Sequence, residues 1–141
     1  LHDSLVPVIS SQLARERPIK TLEDLQRFPW LHDSLRGSKW QQWLVASHAM
    51  HLTCTRSMKL QDAETTLTAA VQGLGIAIGH DALVAHDVGA GRLVEAWPHH
   101  CPLAAGYHLI LPHRGRGNPG VAALVDWLQQ EARAFRGDGQ T

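Results

Sequence analysis

The stretch LQDAETTLTAAVQGLGIAIGHDALV (Leu60–Val84) constrains the fold more than any other part of the chain. Asp62 is a helix-capping residue, and Leu67, Ala70, Val71 and Leu74 come after it at the i, i+3, i+4, i+7 spacing of an amphipathic helix. Gly73 or Gly75 supplies a left-handed stop, and GIAIG is a short, wholly apolar run of the kind buried on both faces of a sheet. HDALVAHDVGAG then makes a second helix, stopped by Gly89 or Gly91. A helix, a tight turn, a buried strand and another helix in that order imply an α/β protein.

The Gly-x-Gly here invites a dinucleotide-binding reading, and the order of elements excludes it. A pyrophosphate rests on free N–H groups where a strand passes through a glycine turn into a helix. Gly73 and Gly75 instead leave a helix and enter a strand. Their role is to turn the chain tightly and let a helix lie close on a sheet.

The flanking sequence continues the alternation. SLVPVIS (Ser4–Ser10) reads as a strand, with Pro7 placing it at an edge or crossover. SSQLARE is a short helix capped by Ser10 or Ser11. TLEDLQRF (Thr21–Phe28) has a near capping-box start and ends at Pro29. WLHD (Trp30–Asp33) is a buried strand, RGSK a turn, and KWQQWLVAS (Lys39–Ser47) a helix with Trp40, Trp43 and Leu44 on one face. HLTCT (His51–Thr55) and RLVEAW read as further strands.

After Pro98, HHCP is a linker, AAGYHLILP (Ala104–Pro112) a strand, and HRGRGNPG a loop. The last helix starts near Pro119, which suits a first turn, and Val121, Leu124, Val125 and Leu128 form its expected buried stripe. Burying four such side chains stabilises a fold by roughly 1.5–3 kcal/mol each, so a packed, swapped or dimeric arrangement is expected. GDGQT should fray. The pentapeptide LHDSL occurs at residues 1–5 and 31–35, but the residues after its two copies share no pattern and the repeat is coincidental.

Charge and composition narrow the function. Thirteen basic residues balance thirteen acidic ones, which argues against this chain gripping a phosphate backbone. No apolar run approaches the roughly 20 residues that span a bilayer. Cys54 and Cys101 are too few for a disulfide scaffold and fit a reducing cytoplasm. The opening LHDSLVPVIS has no initiator Met and reads as a cut within a larger protein.

Chemistry-bearing residues are present but scattered. His48, His51 and Cys54, and the run His99, His100 and Cys101, could offer zinc ligands, yet a helix end and an alternating strand would spread the first three apart. No metal, cofactor or catalytic residue is therefore assigned. There is no Gly-x-Ser-x-Gly elbow, and carboxylates such as Glu23, Asp24 and Glu131 lie on helix surfaces. The start of the helix at Asp62 differs. Its unsatisfied N–H groups at residues 63–65 are a platform for a polar or anionic ligand, unless Asp62 caps them itself.

Taken together, D-L-x-x-x-P-x-L-H-D, A-A-x-x-G-x-G-I-A-x-G, G-R-L-V and W-L-x-x-E-A resemble the effector-binding domain of LysR-type transcriptional regulators. Within that family they are similar to the subgroup of glycine-cleavage and β-lactamase activators, over nearly the whole chain. The resemblance implies a periplasmic-binding-protein-like α/β fold with one complete Rossmann-like lobe and the C-terminal part of a second. Residues 1–9 would be a hinge crossover strand, 10–97 lobe II, 98–103 a linker or second crossover, 104–136 the C-terminal strand and helix of lobe I, and 137–141 a frayed tail. It implies effector contacts at Asp62, Ala63, Glu64, Thr65 and Tyr107, with His32 and Trp40 at the mouth of the cleft. Asp62 would be the cap, Thr65 and the local N–H groups donors, and Tyr107 a hydrogen-bonding wall.

The implied protein is a cytoplasmic sensor and not an enzyme. Its partners would be a small-molecule effector, a second copy in a homodimer (a higher homo-oligomer for the full-length protein), and DNA through an N-terminal domain absent from this sequence. The alternative is a fragment of a periplasmic-type solute-binding protein. One departure matters: the subgroup often has a small hydroxyl residue where Ala63 or Glu64 stands. A carboxylate there competes with an anionic ligand and favours a neutral or cationic effector.

Overall fold

The computed structural model describes residues 2–33, 38–104 and 106–138, with side chains to residue 135. The chain divides into two compact units, Asp3–Ala104 and Leu1–His2 with Ala105–Thr141.

The first unit is a sheet covered on both faces. Its strands are β1 (Ser4–Ser10), β2 (Trp30–Asp33), β3 (Ser57–Leu60), β4 (Ile76–His80), β5 (Leu93–Glu95) and β6 (Cys101–Pro102), and the order across the sheet is β3-β2-β4-β1-β5. β2 pairs in parallel with β3 and β4, whereas β1 runs antiparallel to β4, β5 and β6. The helices are α1 (Ser11–Glu16), α2 (Lys39–Ala46), α3 (Ala63–Val71) and α4 (Asp81–Gly89), with a 3-10 turn at Leu22–Arg27.

The period of two along each strand sorts the core into two layers. Leu5 and Ile9 of β1, Trp30 of β2, and Ile76 and Ile78 of β4 join Leu25, Phe28, Trp40, Trp43 and Leu44 on one face. Val6 and Val8, Leu31, and Ala77 join Ala69, Ala70, Val84 and Leu93 on the other. Each fully buried aliphatic side chain stabilises the unit by about 1.5–3 kcal/mol.

Several local expectations hold for stated physical reasons. The Ser10 hydroxyl accepts from Leu13 N–H at 3.1 Å and caps α1. Gly73 is the left-handed stop after α3 at φ +79°, and Gly91 comes after α4 at φ +72°. Gly75 is needed for closeness: a Cβ there would lie 2.2 Å from the Pro29 carbonyl oxygen, which accepts from Ile76 N–H at 2.9 Å. Gly79 lets α3 and α4 lie close on the sheet, since its Cβ would meet Val84 and Leu67.

Other expectations are corrected. Pro7 is not on an edge strand, because β1 sits between β4 and the pair β5/β6. Its carbonyl accepts from Ala96 N–H at 2.8 Å, so its nitrogen faces the same side, where the chain leaves β5 before β6 begins and no ladder donor is required. Residues 51–55 form no strand; the strand is β3, whose Ser-Met-Lys-Leu sequence alternates polar and apolar residues but is only four residues long and mostly exposed. The segment Leu22–Arg27 is a 3-10 turn, and its expected capping-box start is present, the Asp24 carboxylate accepting from Lys20 and Thr21 N–H groups. The linker after Pro98 contains β6, which pairs with Ser4 and Leu5.

The expected stripe on α3 holds for three of its four residues: Ala70 is buried and Leu67 and Val71 pack against the core, beside buried Thr66 and Ala69, while Leu74 lies past the end of the helix and is 48% exposed.

The second unit contains a 3-10 turn (His113–Gly115) and α5 (Pro119–Asp138). Residues 106–112 form no strand. The expected stripe on α5 is open to solvent in the single chain: Leu124 is 54% and Leu128 36% exposed, Val121 and Val125 are half-buried, and Trp127 is exposed. With no strand at 106–112, the second unit has no sheet of its own among the described residues for this stripe to cover. Residues 34–37, which include the first half of the expected RGSK turn, and 139–141 of the expected tail lie outside the described residues. No helix among the described residues is long and apolar enough to cross a membrane.

Candidate functional site

Because β3, β2 and β4 run in parallel, their carboxyl ends share one edge of the sheet. The helices that come after them, α3, α2 and α4, all begin there, so three helix N-termini with partial positive charge gather at that edge. In open α/β sheets this is where the crevice for a ligand forms.

Asp62 lies at the start of α3. Its carboxylate accepts from Thr65 N–H at 2.8 Å, and its carbonyl accepts from Thr66 N–H at 3.1 Å and Thr66 hydroxyl at 2.7 Å. The Thr65 amide, then the Thr65 hydroxyl, hold the Asp62 carboxyl below the usual carboxylate range. Asp62 thus caps the helix and already occupies one of its free donors. Ala63 is half-buried, and Glu64 and Thr65 are exposed. Glu64 lines a groove between α3 and α4 of about 450 Å³, floored by Leu67, Val71 and Leu83.

His32 and Trp40 are brought together. They line one pocket with Asp33, Lys39 and Thr66, and their rings lie 6.4 Å apart. Its enclosed space is about 10 Å³, room for one water. Trp40 is a buried wall rather than an exposed lip: its ring stacks on Trp30 at 4.0 Å, and its Nε1 donates to the Leu31 carbonyl at 3.0 Å. Burial, then the Lys59 charge, push the His32 imidazole below its ordinary pKa, against the pull of Asp33, which favours the charged ring.

An ion pair in this pocket is not announced by the sequence. Lys39 Nζ lies 2.5 Å from Asp33 Oδ2, and the Asp33 side chain is almost wholly buried. The only signal is a charge at each end of the loop that leaves β2. Thr66 connects this pocket to α3, whereas Asp62, Ala63, Glu64 and Thr65 do not line it. Tyr107 belongs to the second unit, where it is about half exposed.

The candidate zinc ligands go to separate partners. His51 Nε2 lies 3.4 Å from Glu23, Cys54 Sγ donates to the Arg56 carbonyl at 2.6 Å, and His48 ends α2 in a left-handed conformation at φ +54°.

Comparison with known proteins identifies the family and the fold. Residues 1–133 match the family model described as the LysR substrate binding domain. The chain is 29% identical over 132 residues to the glycine cleavage system transcriptional activator of Escherichia coli K12, covering 92% of this chain and 43% of that protein. It is 30% identical over 127 residues to the HTH-type transcriptional regulator TrpI of Pseudomonas aeruginosa, covering 89% and 42%. The chain therefore spans less than half the length of these curated relatives. Among solved structures, the effector domain of AmpR from Pseudomonas aeruginosa superposes with a TM-score of 0.67 at 20% identity, covering 98% of this chain and 66% of that one. The AmpR effector binding domain of Citrobacter freundii gives 0.64 at 21% identity, covering 93% and 64%. At these identities the structural likeness speaks to the fold.

Proposed function

The chain belongs to the LysR substrate-binding domain family, and from that premise we propose that it is the effector-sensing part of a transcriptional regulator. The observation that carries the reading is the gathering of the α3 start and the His32–Trp40 pocket at the carboxyl edge of the parallel strands. The glycine-cleavage activator and TrpI are both regulators, which favours this reading over a solute-binding protein and over an enzyme.

In this reading a small-molecule effector contacts Asp62, Ala63, Glu64 and Thr65; Tyr107 is proposed as a contact on the sequence resemblance alone. His32 and Trp40 act from behind the α3 start, shaping the pocket. Asp62 and Glu64 place two carboxyl groups beside the helix N-terminus, and Asp62 has taken the Thr65 donor. Both features favour a neutral or cationic effector over a simple carboxylate.

No bond need be made or broken. An effector that binds one arrangement of the domain better than another shifts the population between them, and the shift reaches DNA through a domain that lies outside this chain. Pairing with a second copy, a higher oligomer in the whole regulator, and a cytoplasmic location complete the proposal.

Thermal-shift screening against metabolites tests it. An effector at a hundred times its Kd stabilises the folded chain by about 2.7 kcal/mol, a rise in melting temperature of about 5–10 °C. Glu64→Gln should change which charge class of compound gives the shift. Tight binding of a simple carboxylate, unaffected by Glu64→Gln, would overturn the charge assignment. A shift that survives altering Thr65 and His32 would overturn the site.

A further inference from the structure

Between β5 and β6 the chain passes the first turn of α4, and one histidine there touches two acidic groups from different elements. His100 Nδ1 lies 3.2 Å from Asp81 Oδ2 in α4, and His100 Nε2 lies 3.0 Å from Glu95 Oε1 in β5. A neutral imidazole carries one N–H, so it can donate to one of these carboxylates and must turn a lone pair toward the other. Only the imidazolium satisfies both at once.

The rest of the connection is held by groups of a different kind. Trp43 Nε1 donates to the His99 carbonyl at 2.8 Å, and the Trp43 and His99 rings meet edge-on at 6.2 Å. Cys101 pairs with Leu5, and Leu103 N–H donates to the Asp3 carbonyl at 2.9 Å. The other histidine at this end, His80, has its Nδ1 2.6 Å from Asp3 Oδ2. Asp3 is buried, and its second oxygen accepts from Ser4 N–H at 3.0 Å.

We propose that His100 is a proton-operated clasp: as an imidazolium it ties the β5–β6 connection to both α4 and β5, and on losing its proton it releases one of the two. This segment is the last of its unit before the chain leaves at Ala104, so the clasp governs how firmly β6 is held on β1. Burial alone would lower the pKa of His100. Its hydrogen bonds to Glu95 and Asp81, with their charges, outweigh burial and raise it. A group whose pKa is raised by folding stabilises fully below its unfolded value, near 6.5, and the contribution is lost as pH rises through the folded value.

The test uses the whole chain. Long-range ¹H–¹⁵N spectra of the imidazole nitrogens track His100, and amide exchange at Leu103, corrected for the intrinsic pH dependence, tracks β6 between about pH 5.5 and 8.5. The expected result is a His100 midpoint above about 6.5, with both nitrogens protonated at the acid end. Protection at Leu103 should fall about two- to fivefold as the ring deprotonates, the range for a partly exposed ion pair. Glu95→Gln should lower the midpoint and flatten the step, and His100→Gln should remove the step. A His100 midpoint at or below the ordinary value overturns the proposal. So does a step that survives in both variants.

Discussion

The Asp62 carboxylate accepts from the Thr65 amide at 2.8 Å, and this bond favours the charged form. A carboxyl whose pKa is lowered by folding contributes stability above its unfolded value, near 4, and loses it as pH falls through the folded value. Asp62→Asn still accepts from Thr65 but cannot be protonated in this range, so it should lose less stability between about pH 5 and 2 in acid titrations monitored by circular dichroism. Asp62→Ala should be weaker at all pH values. The cap is legible in the sequence because it depends on residues three apart. His48 is not: its left-handed conformation arises from α2 closing on itself, with Ala49 N–H bonded to the Leu44 carbonyl at 2.8 Å. The Asp33–Lys39 pair is hidden for a similar reason, since the loop that brings the two together carries no pattern of its own.

Elements whose partners lie close in sequence and whose pattern is strong are legible from the residues alone. β4 shows an unbroken apolar run between two turn signals, and α2 shows three large apolar residues on one face. β3 and residues 106–112 show where such reading stops. β3 exists because β2 offers it a parallel edge, although its own residues are mostly exposed. Residues 106–112 have the apolar composition of a strand and form none, because a strand is made by its neighbour as much as by its sequence. The glycine between α3 and β4 gives a test at this scale. Gly75→Ala would drive a Cβ into the Pro29 carbonyl, a backbone atom that cannot swing aside, and should cost about 1–3 kcal/mol or more in urea unfolding. Gly89→Ala, which meets nothing within 4 Å, should be neutral or mildly stabilising.

Every residue of both core clusters lies within the unit Asp3–Ala104, whereas α5 leaves Leu124, Trp127 and Leu128 exposed. A chain ending at Ala104 should therefore keep cooperative unfolding, with a midpoint within a few degrees of the full chain. Loss of the transition would show that the first unit depends on the second. The unit's topology has a cost during synthesis. β1 emerges first, six of its seven residues are buried, and it sits between strands made about 70 to 90 residues later. Until β4 leaves the ribosome, this apolar ribbon has neither long edge paired, and in that interval the nascent chain is most open to chaperones and to mispairing with its neighbours.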